Sequence, residues 1–439
     1  MKKFTVNLCR LVLAVVFILS GFVKAVDPMG TQYKITDYLE AMGLGGMVPD
    51  MAALCASVAL SATEFCIGIF LLFAIRRRLM SRLALLMMVV MTPLTLWLAL
   101  FNPVSDCGCF GDAMVLTNWQ TLWKNVVLLA CAVVVARWPL EMFRFVSRTN
   151  QWIVINYSVL FILAIAMWSL YDLPQFDFRP YHIGSDIKAG MEIPEDAPTP
   201  QFETTFILEK DGQQREFTID NYPDSTWTFI DSKTVQTQEG YVPPIHDFSM
   251  ALLSRDGGND VKGNSEENGN GEEADITDEV LSDTSYVFLL VSPHLEQADD
   301  SRLDLINELY EYSHDHGYAF YGLTASTERG IARWRDMTGA EYPFCNTDET
   351  TLKTVIRSNP GLLLLKHGKV IGKWSHNRLP ELSEQEATLP LERLTIGQMP
   401  EDTVPEKILR IVLWFVLPLT LLTIADRLWM WTKWVRKKK

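Results

Sequence analysis

The residues best suited to chemistry in this 439-residue chain are two cysteines one residue apart, Cys107 and Cys109, in the segment SDCGCFGD. They stand between stretches that are otherwise almost wholly apolar. Three uses of such a pair are open. Joined, the sulfurs would close a ring over a single glycine, and strain in so small a ring makes a disulfide easy to reduce, which suits an exchanging redox centre. The pair could equally form a structural disulfide or pack as small residues in a tight turn, with Gly108 and Gly111 supplying unusual backbone angles. A structural zinc would need two further cysteine or histidine ligands, and none lies nearby, so no metal is expected.

Two charged residues extend the candidate site. Glu64 falls close to the middle of an apolar run, where an ionised carboxylate is costly and a functional role is the default reading. Lys24 ends another such run. Together they form a candidate polar centre beneath the cysteine segment, serving a quinone or carrying protons; Lys24 could also snorkel to the interface and Glu64 could simply hydrogen-bond across helices. Of the remaining thiols, Cys55 is placed near enough to the segment to act as a relay. Cys9, Cys66, Cys131 and Cys345 read as packing residues.

The elements that must position these groups are membrane helices. Runs of roughly 20 apolar residues, the length needed to span a bilayer as helix, occur at Leu8 to Val26, Met51 to Ile75, Leu79 to Phe101, Thr121 to Trp138, Trp152 to Tyr171 and Ile408 to Trp429. Lys124 lies in the first turn of the fourth and is expected to snorkel. Basic residues cluster at Lys2, Lys3 and Arg10, at Arg76 to Arg82, at Arg137 to Arg148 and at the end of the chain, so the positive-inside rule places both termini in the cytoplasm and residues 172–405 outside. The first span has the look of a signal peptide, but its length and the lysine before Ala25 favour retention. Between the first two spans, Ile35, Tyr38, Leu39 and Met42 recur at helical spacing and suggest an amphipathic helix on the outer surface.

The net charge of −14 belongs to the outer part, which is strongly acidic while the membrane part is basic. Basic residues dispersed at membrane edges do not make a nucleic-acid surface, so nucleic acid is excluded as a partner. The lipid bilayer and a periplasmic client protein are the partners expected. Residues 172–253 alternate apolar and polar residues around a Lys-Asp-Gly turn and read as β-rich. Residues 254–283, rich in Gly, Asn and acids, read as a disordered insert. From 284 to 395 the order is strand, helix, strand, helix, helix and a terminal hairpin preceded by Asn359 and Pro360.

That order resembles the thioredoxin fold. The resemblance implies a Cys-x-x-Cys pair after the first core strand, but Ser292, Pro293, His294 and Leu295 stand there, so the domain is degenerate. Residues 7 to 140 resemble the DoxX/MauE-like family of four-helix bacterial membrane proteins through LSGFVKAVDP, TEFCIGIFLL and CGCFGD. That resemblance implies periplasmic redox work, either disulfide-dependent maturation of an exported protein or quinol oxidation.

The fold class expected is therefore a membrane α-helical bundle, a four-helix DoxX/MauE-like core with six spans in total, plus an α/β thioredoxin-like extracytoplasmic domain. The divisions are 1–140 for the four-helix bundle, 141–171 for a cytoplasmic loop and fifth span, 172–253, 254–283, 284–395, and 406–439 for the sixth span and basic tail. The function expected is assistance to thiol–disulfide or quinone-linked redox processes at the inner membrane, as an oxidoreductase accessory. Cys107, Cys109 and Glu64 are its catalytic candidates, and Lys24 with Glu64 its candidates for holding a quinone. The competing reading is a non-catalytic membrane-anchored scaffold whose degenerate domain binds a partner.

Overall fold

A computed structural model describes the chain except for residues 105, 200, 211–212, 219–220, 224–226, 239, 254–273, 401–403 and 439. Six of its helices are long and apolar enough to cross a membrane. They are α1 (Lys2–Val26), α3 (Asp50–Leu72), α4 (Arg77–Phe101), α5 (Asn118–Arg137), α6 (Gln151–Tyr171) and α12 (Val404–Lys438). Each expected span lies within or across one of these helices. The sixth overshoots most, because helix continues through polar residues on both sides of its apolar centre.

Small residues set the packing at the heart of the bundle. At the α1–α3 crossing a Cβ on Gly21 would collide with the backbone of Phe65, and one on Gly68 would meet Ile18 and Ala14. Without those carbons the two backbones come close, which is how helices associate when lipid is as apolar as their side chains. The crossing lays one helix's polar residues against the other's and so prepares the site described below. Helix α12 joins through aromatic contacts, with Phe415 centred 4.4 Å from Phe161 and stacked on Tyr157. At its far end Asp426 accepts hydrogen bonds from Ser147 and Asn150.

Helix α2 (Pro28–Ala41) follows α1 directly. Asp27 caps it by accepting the amide of Gly30 at 2.9 Å, and Pro28 takes the first-turn position where a missing N–H costs nothing. Its expected apolar stripe is not what it buries. Pro28 and Gln32 are its buried residues, and Tyr38 turns toward the cysteine segment.

The outer part holds two sheets. Strands β1 (Gln201–Lys210), β2 (Gln213–Thr218) and β3 (Thr228–Gln238) form a three-stranded antiparallel sheet in the order β2-β1-β3. The Lys-Asp-Gly turn runs into undescribed residues. The larger sheet contains β4 (Ala251–Leu252), β5 (Ala274–Asp275), β6 (Tyr286–Ser292), β7 (Ala319–Thr324), β8 (Phe344–Asn346), β9 (Gly361–Lys366) and β10 (Lys369–Ser375), in the order β10-β9-β6-β7-β8-β4-β5.

Strand β6 is parallel to β7 and antiparallel to β9, which is antiparallel to β10. That is the thioredoxin arrangement, a parallel pair extended by an antiparallel hairpin. Both faces of the sheet are covered, so β6 and β9 read as unbroken apolar runs. Tyr286, Phe288 and Leu290 enter one core with Leu309 of α9 (Leu303–Asp315) and Trp334 of α10 (Glu328–Thr338). Val287, Leu289 and Val291 enter the other, with Ile187 of α7 (Ile187–Met191), Leu281 of α8 (Thr277–Ser282) and Leu352 of α11 (Glu349–Val355). The hairpin turns at His367 and Gly368, both at positive φ, and the Asn359–Pro360 bond is cis.

Two expected divisions shift. Residues 172–253 do not form one β-rich unit, because Tyr181, Ile187, Ile245, Phe248 and Met250 pack into the second core of the larger sheet. Only the three-stranded sheet stands apart. Within the expected disordered insert, residues 254–273 lie outside the described residues, but 274–283 form β5 and α8, where Val280 and Leu281 supply the apolar surface that the glycine-rich part lacks.

Candidate thiol site

The α1–α3 crossing places Lys24 opposite Glu64, with the ammonium 2.7 and 2.8 Å from the two carboxylate oxygens. Both side chains are only 7% exposed. A buried pair of opposite charge survives because each ion replaces the other's lost hydration; leaving either alone would strand a bare charge. Ser20 sits one turn before Lys24. It accepts from the Lys24 ammonium, and its hydroxyl contacts both Glu64 Oε2 at 2.8 Å and the carbonyl oxygen of Cys109 at 2.7 Å. The membrane charges are thus tied by one hydroxyl to the cysteine segment.

The segment leaves α4 at Asn102, where a left-handed residue ends the helix, and enters α5 through a capping box formed by Thr117 and Gln120. Its shape depends on Gly108 and Gly111, whose φ angles are +62° and +50°. A side chain at Gly108 would also press on Lys34 at 3.1 Å. Asp106 folds back to accept the Gly108 amide at 2.9 Å and is paired with Lys34 of α2 at 2.6 Å. Tyr38, one turn further along α2, donates to the carbonyl of Cys107 at 2.5 Å. Helix α2 therefore clamps the segment from above while α1 and α3 hold it from below.

Within this clamp the sulfurs of Cys107 and Cys109 are 2.8 Å apart, both half-buried thiols. Their environments differ. The hydrogen bond from Cys107 holds the Cys109 thiol down to about 6 against the opposing effect of burial, and the ammoniums of Lys124 and Lys24 assist. Cys107 moves the other way, raised first by its bond to Cys109 and then by burial. One thiolate is thus favoured, on Cys109, with Cys107 as its proton-bearing neighbour. Lys124 reaches toward this link; its ammonium lies 4.4 Å above the Phe110 ring and borders the same cavity as Cys109.

The quinone expectation can be tested against the space available. Ser20, Lys24, Glu64, Cys109 and Lys124 line a cavity of about 50 Å³, well below the several hundred Å³ of ordinary ligand sites. Its polar groups are already bonded to one another. That cavity has no room for a quinone ring, although Lys24 also borders the larger chamber described below.

The other candidates separate from the site. Cys55 precedes Glu64 by nine residues, about two and a half turns at 3.6 residues per turn, so it occupies the opposite face of α3 and is exposed. It is not positioned as a relay. Cys9, Cys66 and Cys131 pack against the bundle core, and Cys345 is fully buried in β8, where burial pushes its thiol up to about 12. Among the described residues no cluster of three or more His, Cys, Asp and Glu could hold a metal.

The soluble domain is docked over the segment. Arg357 is almost fully buried, bonds Asp27 Oδ2 at 2.9 and 3.0 Å and Oδ1 at 3.2 Å, approaches Asp112 at 3.8 Å and lies over the Tyr33 ring. Burial opposes ionisation of Asp27, yet the Arg357 guanidinium outweighs it and holds the carboxyl below its ordinary range. Where a thioredoxin fold would place its dithiol, Ser292 Oγ bonds Asn359 Oδ1 at 2.6 Å, Asn359 donates to the His294 carbonyl, and His294 Nε2 lies 3.0 Å from Glu349. That corner is a closed polar network with no sulfur. It faces the cysteine segment across a chamber of about 800 Å³ lined by Gly108, Asp112, Pro293, His294 and Arg357 among others.

Residues 2–137 match the family model of methylamine utilisation protein MauE, and residues 202–239 match a domain family of unknown function. Among solved structures, a protein named as a candidate disulfide isomerase of Bacteroides thetaiotaomicron aligns at 13% identity over 30% of this chain and 77% of its own, with a TM-score of 0.22. No curated protein matches the chain. The chain is a multi-pass membrane protein with a MauE-like bundle and a second domain of thioredoxin topology. The DoxX part of the expectation has no counterpart in these matches.

Proposed function

We propose that Cys107 and Cys109 exchange disulfides with a client protein on the periplasmic face of the bacterial inner membrane, with both termini cytoplasmic and residues 172–405 outside. The observation that carries this reading is geometric: two thiols 2.8 Å apart in one clamped segment, with the Lys24 and Lys124 ammoniums and Cys109 bordering one small cavity, a setting that favours a thiolate on Cys109. Sulfur exchange needs a thiolate to attack and a second thiol to resolve. The Cys109 thiolate attacks a client disulfide, the client S–S bond breaks, and one client sulfur leaves to be protonated. Cys107 then loses its proton and attacks the Cys109 sulfur, releasing the second client thiol and closing the Cys107–Cys109 disulfide. Two electrons pass to the client, with one proton from Cys107 and one from solvent, and the reverse sequence oxidises a client dithiol.

Lys124 and Lys24 stabilise the thiolate, Glu64 holds Lys24 in place, and Ser20 ties that pair to the segment. The soluble domain presents the client and does not react with it. The test is the full chain in nanodiscs treated with glutathione disulfide, with adducts mapped by mass spectrometry. Cys107→Ala should accumulate a mixed disulfide on Cys109, and Cys109→Ala should form its adduct on Cys107 more slowly, because the ammoniums of Lys124 and Lys24 act on Cys109. Equal adduct formation on Cys107, Cys109 and the exposed Cys55 would defeat the proposal.

A further inference from the structure

The chamber between the cysteine segment and the soluble domain has a charge balance that its size does not reveal. Five cations border it, and each is paired: Lys24 with Glu64, Lys34 with Asp106, Lys353 with Glu349, Arg357 with Asp27 and at 3.8 Å with Asp112, and Arg179 with Asp177, which it shares with the buried Lys373. Three carboxylates on the same lining, Asp37 and Glu40 of α2 and Asp50 at the start of α3, have no cation within 4 Å among the described residues. Partial burial holds the Asp37 carboxyl above its ordinary range, with the Lys34 ammonium opposing and Glu40 adding to the rise. The field inside the chamber is therefore negative, and a cation entering it would relieve repulsion.

Shape narrows the occupant. At about 800 Å³ the chamber is at the upper end of ordinary ligand sites. Phe176 and Phe178 give one wall an apolar surface, while Gly108, between the two cysteines, borders the chamber beside the Lys34 side chain. The chain's own acid-rich residues 254–273 carry the wrong sign for this field.

We infer that the chamber binds an extended, lysine- or arginine-bearing segment of a client polypeptide and presents its cysteine to Cys107 and Cys109. The inference names the client class for the exchange reaction proposed above and rests on that reading, but binding and exchange can be measured apart. Two labelled ten-residue peptides, identical except that lysines or glutamates flank a central serine in place of cysteine, are titrated by fluorescence polarisation. The protein is the full-length Cys107→Ser/Cys109→Ser chain in nanodiscs of zwitterionic lipid.

The lysine peptide should bind at least about tenfold more tightly than the glutamate peptide, and the preference should fade in high salt as screening shortens the reach of the charges. Asp37→Asn/Glu40→Gln, exposed changes that leave the fold intact, should remove most of the preference. Equal binding of the two peptides, or a lysine preference unmoved by the double substitution, overturns the inference. Cysteine forms of both peptides with the unsubstituted protein complete the design. Equal exchange rates for both defeat this inference and leave the exchange reaction standing, whereas selective binding without exchange keeps the chamber and defeats the reaction.

Discussion

The two places where this molecule could hold a dithiol face each other across one chamber, and they have been built in opposite ways. In the soluble domain, the corner formed by β6 and the Asn359–Pro360 bond keeps its backbone form but is filled by Ser292, His294, Asn359 and Glu349, bonded to one another. In the bundle, an irregular sixteen-residue link between two helices carries Cys107 and Cys109, with ammoniums at Lys24 and Lys124 to favour a thiolate. A regular fold therefore supplies shape without reactivity, and a loop supplies reactivity because surrounding helices restrain it. What decides between them is the charge placed around sulfur, and only the bundle supplies it.

The contrast can be broken most severely at the ion pair below the loop. Glu64→Ala should destabilise the bundle by about 3–5 kcal/mol, since it leaves the Lys24 ammonium buried without a partner. Thermal unfolding in detergent measures this, and Lys24→Met/Glu64→Met should recover much of the loss because both charges leave together.

A smaller effect, on reactivity rather than stability, comes from the cysteines themselves. The Cys109 thiol is held down to about 6, so its alkylation rate should climb as pH rises through that value and level off above it; an ordinary thiol climbs near 8.5. Cys107→Ala removes the donor that contributes most to the shift and should move the midpoint up by more than one unit. Lys124→Met should move it in the same direction by less, because its ammonium acts through space and not through a direct bond.

The mildest change is expected on the opposite wall. His294→Ala should leave the Cys109 alkylation profile unchanged, since His294 pairs with Glu349 and not with sulfur. A profile that follows His294 as strongly as Lys124 would erase the distinction between the two walls.

Much of this arrangement was legible in the chain and some was not. The cysteine pair stands out because thiols are rare between apolar runs, and Glu64 because a carboxylate in mid-membrane demands a reason. The spans and the thioredoxin order follow from unbroken apolar runs and from the alternation of strand and helix. Lys124 reads as a lysine that can reach the helix end; that its ammonium settles over Phe110 in the cysteine-bearing link depends on a contact the chain alone does not show. Ser20, Lys34, Tyr38 and Asp106 gave no signal, being common residues whose use depends on contacts between distant parts of the chain, such as Tyr38 with Cys107. Cys55 had a usable signal in its nine-residue spacing from Glu64, which puts the two on opposite faces of a helix.

The central claim is that Cys107 and Cys109 form one two-electron centre while the soluble domain contributes none. It is tested most directly by equilibrating the full chain in nanodiscs with glutathione buffers of graded potential, quenching with acid and counting alkylated thiols by mass spectrometry. The account predicts that Cys107 and Cys109 convert together, through a single transition with the two-electron slope of about 30 mV per tenfold change, while Cys345 stays reduced throughout. A pair that keeps one state across the whole range of potentials, or two cysteines that titrate independently, would contradict it.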